Sequence, residues 1–176
     1  YAKGGSKIVA MVRQAAETLS GVPSITYGLF GLLFFVTQLK WGFSLLAGAA
    51  TLSIMVLPLV MRTTEEALKS VPDAYREGSF GLGAGKLRTI FRIVLPAAVP
   101  GILSGVILSV GRIVGETAAL IYTAGTVAGI PSSPMGSGRT LSVHMYVLST
   151  EGLHIEKAYA TAVVLLGLVF GINSLS

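Results

Sequence analysis

The sequence contains no cysteine. That excludes disulfide frameworks, thiolate metal sites and cysteine nucleophiles. Charge is nearly as scarce. Asp, Glu, Lys and Arg make up 12% of the 176 residues, about half the share usual in a globular domain. Thirteen basic and eight acidic side chains are too few to solvate an ordinary surface. What is abundant is apolar: 52% of residues are hydrophobic and the mean hydropathy is +0.76. Intrinsic disorder is excluded by that content. The chain has the length of one domain, and its solvent is largely lipid.

The formal net charge of +5 raises nucleic acid as a partner. A nucleic-acid surface would gather Lys and Arg on one soluble face with aromatics nearby. Here the basic residues punctuate long apolar runs instead, the pattern of cytoplasmic loops in membrane proteins. No nucleic acid is expected.

Three uncharged stretches approach the length of a membrane crossing: Leu19 to Leu39, Trp41 to Met61, and Ile93 to Gly111. A fourth opens at Ala158 and is still apolar at Ser176. Each is close to the roughly 20 residues that a helix needs to cross the hydrocarbon. The fold class is therefore all-α, a polytopic membrane protein. Residues 3–20 and 62–92 hold nine basic residues, Lys40, Arg139 and Lys157 lie on the other side, and Arg112 falls between. The positive-inside rule puts the first two segments in the cytoplasm. The path then runs out, in, through a cytoplasmic loop, out, through an outside loop at 124–156, and back in. The start without Met and the stop inside a span read as a fragment, 1–176 being one transmembrane domain with earlier spans and a C-terminal end missing.

Glycine is frequent inside the spans. Gly101 with Gly105, and Gly167 with Gly171, have the small-xxx-small spacing that lets helices approach closely. Lipid-facing small residues without a specific partner fit the spacing equally well.

The longest polar stretch is 63–92. Thr64–Lys69 continues the second span as helix, Pro72 restarts it, and Asp73 to Leu82 forms a short helix. The run Gly81-Leu82-Gly83-Ala84-Gly85 breaks it, and Lys86 to Ile93 makes a basic amphipathic turn or two. Such an exposed helix suits a groove on a soluble partner; a helix lying on lipid headgroups is the alternative. The glycine run is not a nucleotide loop. A Walker loop needs Gly where Phe80 stands and Ser or Thr where Leu87 stands, and the dinucleotide fingerprint fails at Lys86.

Glu77-Gly78-Ser79, three residues, Gly83, nine residues and then Ile93-Val94-Leu95-Pro96 resembles the EAA loop of ABC importer permeases. Gly78 and Ser79 replace two alanines of that pattern; both are small, though poorer helix formers. The resemblance covers nearly the whole chain. It implies that 63–92 is a coupling loop docking on a separate ATP-binding subunit, through Ala74, Glu77, Gly78, Ser79, Gly83, Leu95 and Pro96. It further implies that the chain is no enzyme and needs no cofactor of its own, ATP being bound by the partner. The run Gly111–Gly125, with Arg62-Thr63-Thr64-Glu65-Glu66 and Gly21-Val22-Pro23-Ser24-Ile25, resembles phosphate permeases, PstA-type more than PstC-type. That implies a PstC-like second permease, a dimer of PstB-like ATPases, a periplasmic PstS-like phosphate-binding protein and a place in the cell inner membrane.

Three charged residues are candidates for the phosphate path. Arg112 and Glu116 are four apart, on one side of a helix, near the end of an apolar span where charges are costly. An Arg can hold phosphate oxygens in a bidentate fork, and a neighbouring Glu can compete for it, keeping binding weak enough for release. A plain structural pair is the competing reading. Arg62 closes the second span, either as a snorkelling anchor or as part of the path. His144 and His154 lack acidic companions, so no metal site is expected. An oxyanion other than phosphate, a channel and an intramembrane enzyme are the alternatives. The spans contain no nucleophile motif, and a channel would need no coupling loop.

Overall fold

The computed structural model describes residues 7–152 and 154–176; Lys3, one of the basic residues tallied above, lies outside them. No strand occurs among the described residues. The helices are α1 (Lys7–Ser20), α2 (Ser24–Gly31), α3 (Leu45–Ser70), α4 (Asp73–Gly81), α5 (Lys86–Thr89), α6 (Leu95–Val114), α7 (Ala118–Ile121), α8 (Leu141–Glu151) and α9 (Ile155–Asn173). Two π-helical stretches extend them: Leu32–Gln38 prolongs α2, and Ile90–Val94 joins α5 to α6.

Among the described residues, three helices are long and apolar enough to cross a membrane: Leu45–Ser70, Lys86–Val114 and Ile155–Asn173. They correspond to the second, third and fourth expected spans. The first differs. Gly21-Val22-Pro23 breaks the run, and Lys7–Ser20 meets Ser24–Gln38 at 101°. Pro23 cannot donate a backbone hydrogen bond, and its extended ψ of 145° turns the chain.

α3 serves as a depth ruler. Ser44 caps its outer end, accepting from the Ala47 N–H at 3.2 Å. About 20 residues from Leu45 cross the ~30 Å hydrocarbon, so its midplane falls near Met55 and its inner edge near Thr63. α6 packs antiparallel on α3. A methyl on Gly101 would come 2.9 Å from Ala67 Cβ, and one on Gly105 would collide with Thr63. The spacing Gly101/Gly105 thus has a specific partner, whereas a Cβ at Gly167 or Gly171 would meet nothing within 4 Å. Continuing the register by seven residues brings Arg112 level with Val56. α6 ends two residues later, at mid-depth.

The third span is completed by irregular chain. α7 sits on α2, with Ala119 against Gly28. Its continuation satisfies its backbone inside the protein, as lipid requires: Ser44 N–H donates to the Thr123 carbonyl at 3.0 Å and Gly138 N–H to that of Ala124 at 3.2 Å. The expected outside loop also dips back. Ser142 at the start of α8 donates to the Glu116 carbonyl at 2.6 Å. Thr140 caps α8 through Val143 N–H, and left-handed Gly152 ends it. α9 then descends beside α6, and Ser104 Oγ reaches the Ser176 carbonyl at 2.9 Å.

Candidate functional site

α1, α2, α3 and α6 enclose a cavity of ≈ 440 Å³ whose lining carries charge of both signs. Its basic residues are Arg13, Arg62, Lys69 and Arg112; its acidic ones are Glu17, Glu65 and Glu66. Tyr27, Met55 and Pro58 form the apolar inner wall. The depth ruler orders them. Arg62, Glu65, Glu66 and Lys69 lie at the inner edge of the membrane, and Arg112 stands about seven residues deeper, ~10 Å along the helix axis.

The mouth is ion-paired. Arg13 of α1 bonds Glu65 of α3. Lys69 reaches the same carboxylate at 2.7 Å, and Arg62 pairs with Glu66 at 3.0 Å. These side chains are 38–72% exposed, so each pair contributes only about 0–1 kcal/mol and an incoming anion can compete for any of the three cations. Arg13 on Glu65 also places both basic segments at one end of the molecule, as the charge asymmetry requires.

Arg112 makes no ion pair among the described residues. A cation at the bilayer centre costs about 2.5–3.5 kcal/mol or more in lipid. Lining a polar cavity, and not the lipid-facing surface, lowers that cost. Glu116 does not pair with it. The helix stops at Val114, and the Glu116 carboxylate turns back to accept from the Ala119 N–H at 3.1 Å, capping α7. The structure therefore brings Arg112 and Arg62 to one cavity and leaves Glu116 off its lining, although the i,i+4 spacing suggested a shared face. The assumption that failed was a continuous helix from 112 to 116.

The expected coupling residues fall into two groups. Ala74, Glu77 and Gly78 are exposed on α4, while Ser79 is buried. Gly83 turns the chain with φ +81°, and a side chain there would meet open space. Leu95 and Pro96 form the first turn of α6. Two residues without a motif signal complete the loop: Arg76, which donates to the carbonyls of Leu68 and Val71 at 2.8 and 2.7 Å, and Thr89, whose hydroxyl lies 2.8 Å from that of Ser79. Among the described residues no His, Asp and Glu cluster has metal-binding geometry; His144 and His154 remain apart from the cavity lining.

The family described as binding-protein-dependent transport system inner membrane component matches residues 2–175. A probable ABC transporter permease, YqgI of Bacillus subtilis, is 37% identical over 161 residues, covering 84% of this chain and 55% of the relative. The phosphate transport system permease protein PstA of Mycobacterium leprae is 37% identical over 173 residues, 97% of this chain and 57% of its own length. PstA 2 of Mycobacterium bovis is 44% identical over 119 residues, 68% and 40% of the two chains. The chain spans about half the length of such relatives. No solved structure matches it.

Proposed function

The chain belongs to the binding-protein-dependent transport system inner membrane components, multi-pass permeases of ABC transporters, and on that premise we propose that it lines the phosphate path of an ATP-driven importer. The observation that carries this reading is Arg112, a mid-depth cation without an ion-pair partner among the described residues, facing the same cavity as Arg62. A guanidinium offers an oxyanion a planar, bidentate fork. Release needs the fork to be weak and the exit to be contested. Glu65 and Glu66 at the mouth supply that contest: they hold Arg13, Lys69 and Arg62 until an anion displaces them, and recapture the cations afterwards. The similarity to PstA-named relatives supports phosphate as the oxyanion.

In this reading residues 1–176 are one transmembrane domain of a longer permease. The loop 63–92 meets a PstB-like ATPase dimer that holds the ATP, so this chain has no catalytic residue and binds no cofactor. A PstC-like permease supplies the other half of the path, and a PstS-like periplasmic protein delivers phosphate. The test is complementation. The full-length gene, expressed in cells lacking their own phosphate importers together with genes for a PstC-like permease, a PstB-like ATPase and a PstS-like binding protein, should restore uptake of radiolabelled phosphate. Restored molybdate or sulfate uptake without phosphate uptake would reassign the anion; no uptake of any oxyanion would refute the reading.

A further inference from the structure

α4 is nine residues long, and Ser79 is its one buried residue. A helix so short is marginal by itself, so its position must be fixed by specific bonds. On one side, Arg76 inserts its guanidinium under the end of α3. It donates to the Leu68 and Val71 carbonyls and to the Asp73 carboxylate, at 2.8, 2.7 and 2.7 Å, with its side chain 18% exposed. Those carbonyls are among the groups that a helix C-terminus leaves unpaired, and a planar fork can satisfy two at once where an ammonium would hold them less rigidly. On the other side, Ser79 and Thr89 form a buried hydroxyl pair, and the Thr89 hydroxyl donates a hydrogen bond to the Gly85 carbonyl at 3.2 Å. Thr89 continues through the π turn into α6.

We propose that Arg76 and the Ser79–Thr89 pair are the two joints that transmit a displacement of α4 to the cavity, making Arg76 and Thr89 positioning residues for coupling. This rests on α4 being the helix that meets the ATPase. The joints grip α3 and α6, and those two helices are locked to each other at Gly101 and Gly105. α3 carries Arg62 and α6 carries Arg112. A push on α4 therefore moves both cations together, against a facing wall built by α1, since α2 is packed on α3 at Gly31 and Thr51 and moves with it. The sole ion pair across that boundary among the described residues is Arg13–Glu65, which is exposed and weak enough to break.

The experiment uses the full-length permease in its assembled complex, reconstituted in liposomes with radiolabelled inorganic phosphate and ATP. Arg76→Gln and Thr89→Val remove one joint each; Arg76→Lys and Thr89→Ser are the conservative partners. The first readout is ATP hydrolysed per phosphate transported. Arg76→Gln and Thr89→Val should raise it about fivefold or more, the lower end of an energetic coupling between sites. Thr89→Ser should stay at the wild-type ratio and Arg76→Lys should fall between. The second readout needs no transport: spin-label distances from Tyr75 to Leu57 on α3 and to Leu103 on α6, all exposed positions. Arg76→Gln should broaden the first distribution and Thr89→Val the second. An unchanged ratio in both joint-removing variants, or Thr89→Ser as damaging as Thr89→Val, overturns the proposal. A wild-type complex that moves no phosphate refutes the functional reading instead, and the label distances then decide the joints: unbroadened distributions overturn them.

Discussion

A side chain at Gly105 has to displace Thr63. A Cβ there would stand 2.6 Å from Thr63 Cβ and overlap its hydroxyl oxygen. Carbon contacts relax at about 3.5–4.0 Å, so Gly105→Ala must part α3 and α6 by about 1 Å. Overpacking of this kind costs about 1–3 kcal/mol. Removing a helix-interior glycine works the other way, by up to about 1 kcal/mol. Gly167→Ala is the control: it sits inside α9, and an added Cβ meets nothing within 4 Å. The difference between the two variants removes the backbone contribution and leaves the seam, about 1–3 kcal/mol. Denaturant or thermal unfolding of the full-length protein in detergent measures it. Thr63→Gly removes both colliding atoms, so adding it to Gly105→Ala should recover stability with a coupling of about 0.5–3 kcal/mol. Equal stability of Gly105→Ala and Gly167→Ala, or strict additivity with Thr63→Gly, would refute the close seam and with it the register that puts Arg112 at mid-depth.

Three further outcomes follow from the same geometry. Glu116→Gln keeps an oxygen for the Ala119 N–H and should unfold as the wild type does, while Glu116→Ala should lose about 1 kcal/mol in the same unfolding assay; equal effects would mean that the carboxylate is not a cap. Gly83→Asp should abolish transport without affecting insertion, because it places a side chain in a left-handed turn, costing roughly 1–2 kcal/mol, and puts a charge on the face proposed to meet the ATPase; normal uptake with normal ATPase copurification contradicts this. A cysteine at Ser70 should be labelled only from the cytoplasm and one at exposed Ser133 only from outside, Ser137 being less suitable because it is half-buried and bonded to the Ala124 carbonyl; labelling of both from one side refutes the topology.

The spans were legible because lipid leaves no freedom in their composition. Runs of about 20 uncharged residues ended by Arg62 and Arg112, with basic loops between them, identify α3 and α6 before any packing is known. The short helix of the 63–92 loop was legible through Pro72, whose fixed φ suits a helix start, and Gly83, which takes the left-handed turn that ends it without a Cβ penalty. The mid-depth break was not. Gly111 to Gly125 is apolar enough to read as helix continuing, and Gly115 ends α6 with an ordinary negative φ of −82°. Its signal lay in Glu116-Thr117 ahead of Ala118-Ala119-Leu120-Ile121, a capping residue before an apolar turn. α8 had signals as well, Thr140 before it and Gly152 after it. The two π-helical stretches carry no pattern that distinguishes them from α-helix. The cavity is tertiary: Arg13 and Arg112 are distant in sequence, and only the bend at Pro23 brings α1 back to α3.

Whether Arg112 holds the transported anion is the claim on which the functional account depends, and uptake of radiolabelled phosphate by the full-length Arg112→Gln variant tests it most directly. Losing one charge-assisted contact of about 1.5–3 kcal/mol should lower kcat/KM for uptake roughly 10- to 100-fold, with membrane protein levels unchanged. Arg112→Lys should retain part of the activity, since an ammonium keeps the charge without the fork. Adding Glu116→Gln to Arg112→Gln should restore nothing, because Glu116 is bonded to α7 and not to Arg112. Wild-type uptake in Arg112→Gln, or recovery in the double variant, would contradict the account.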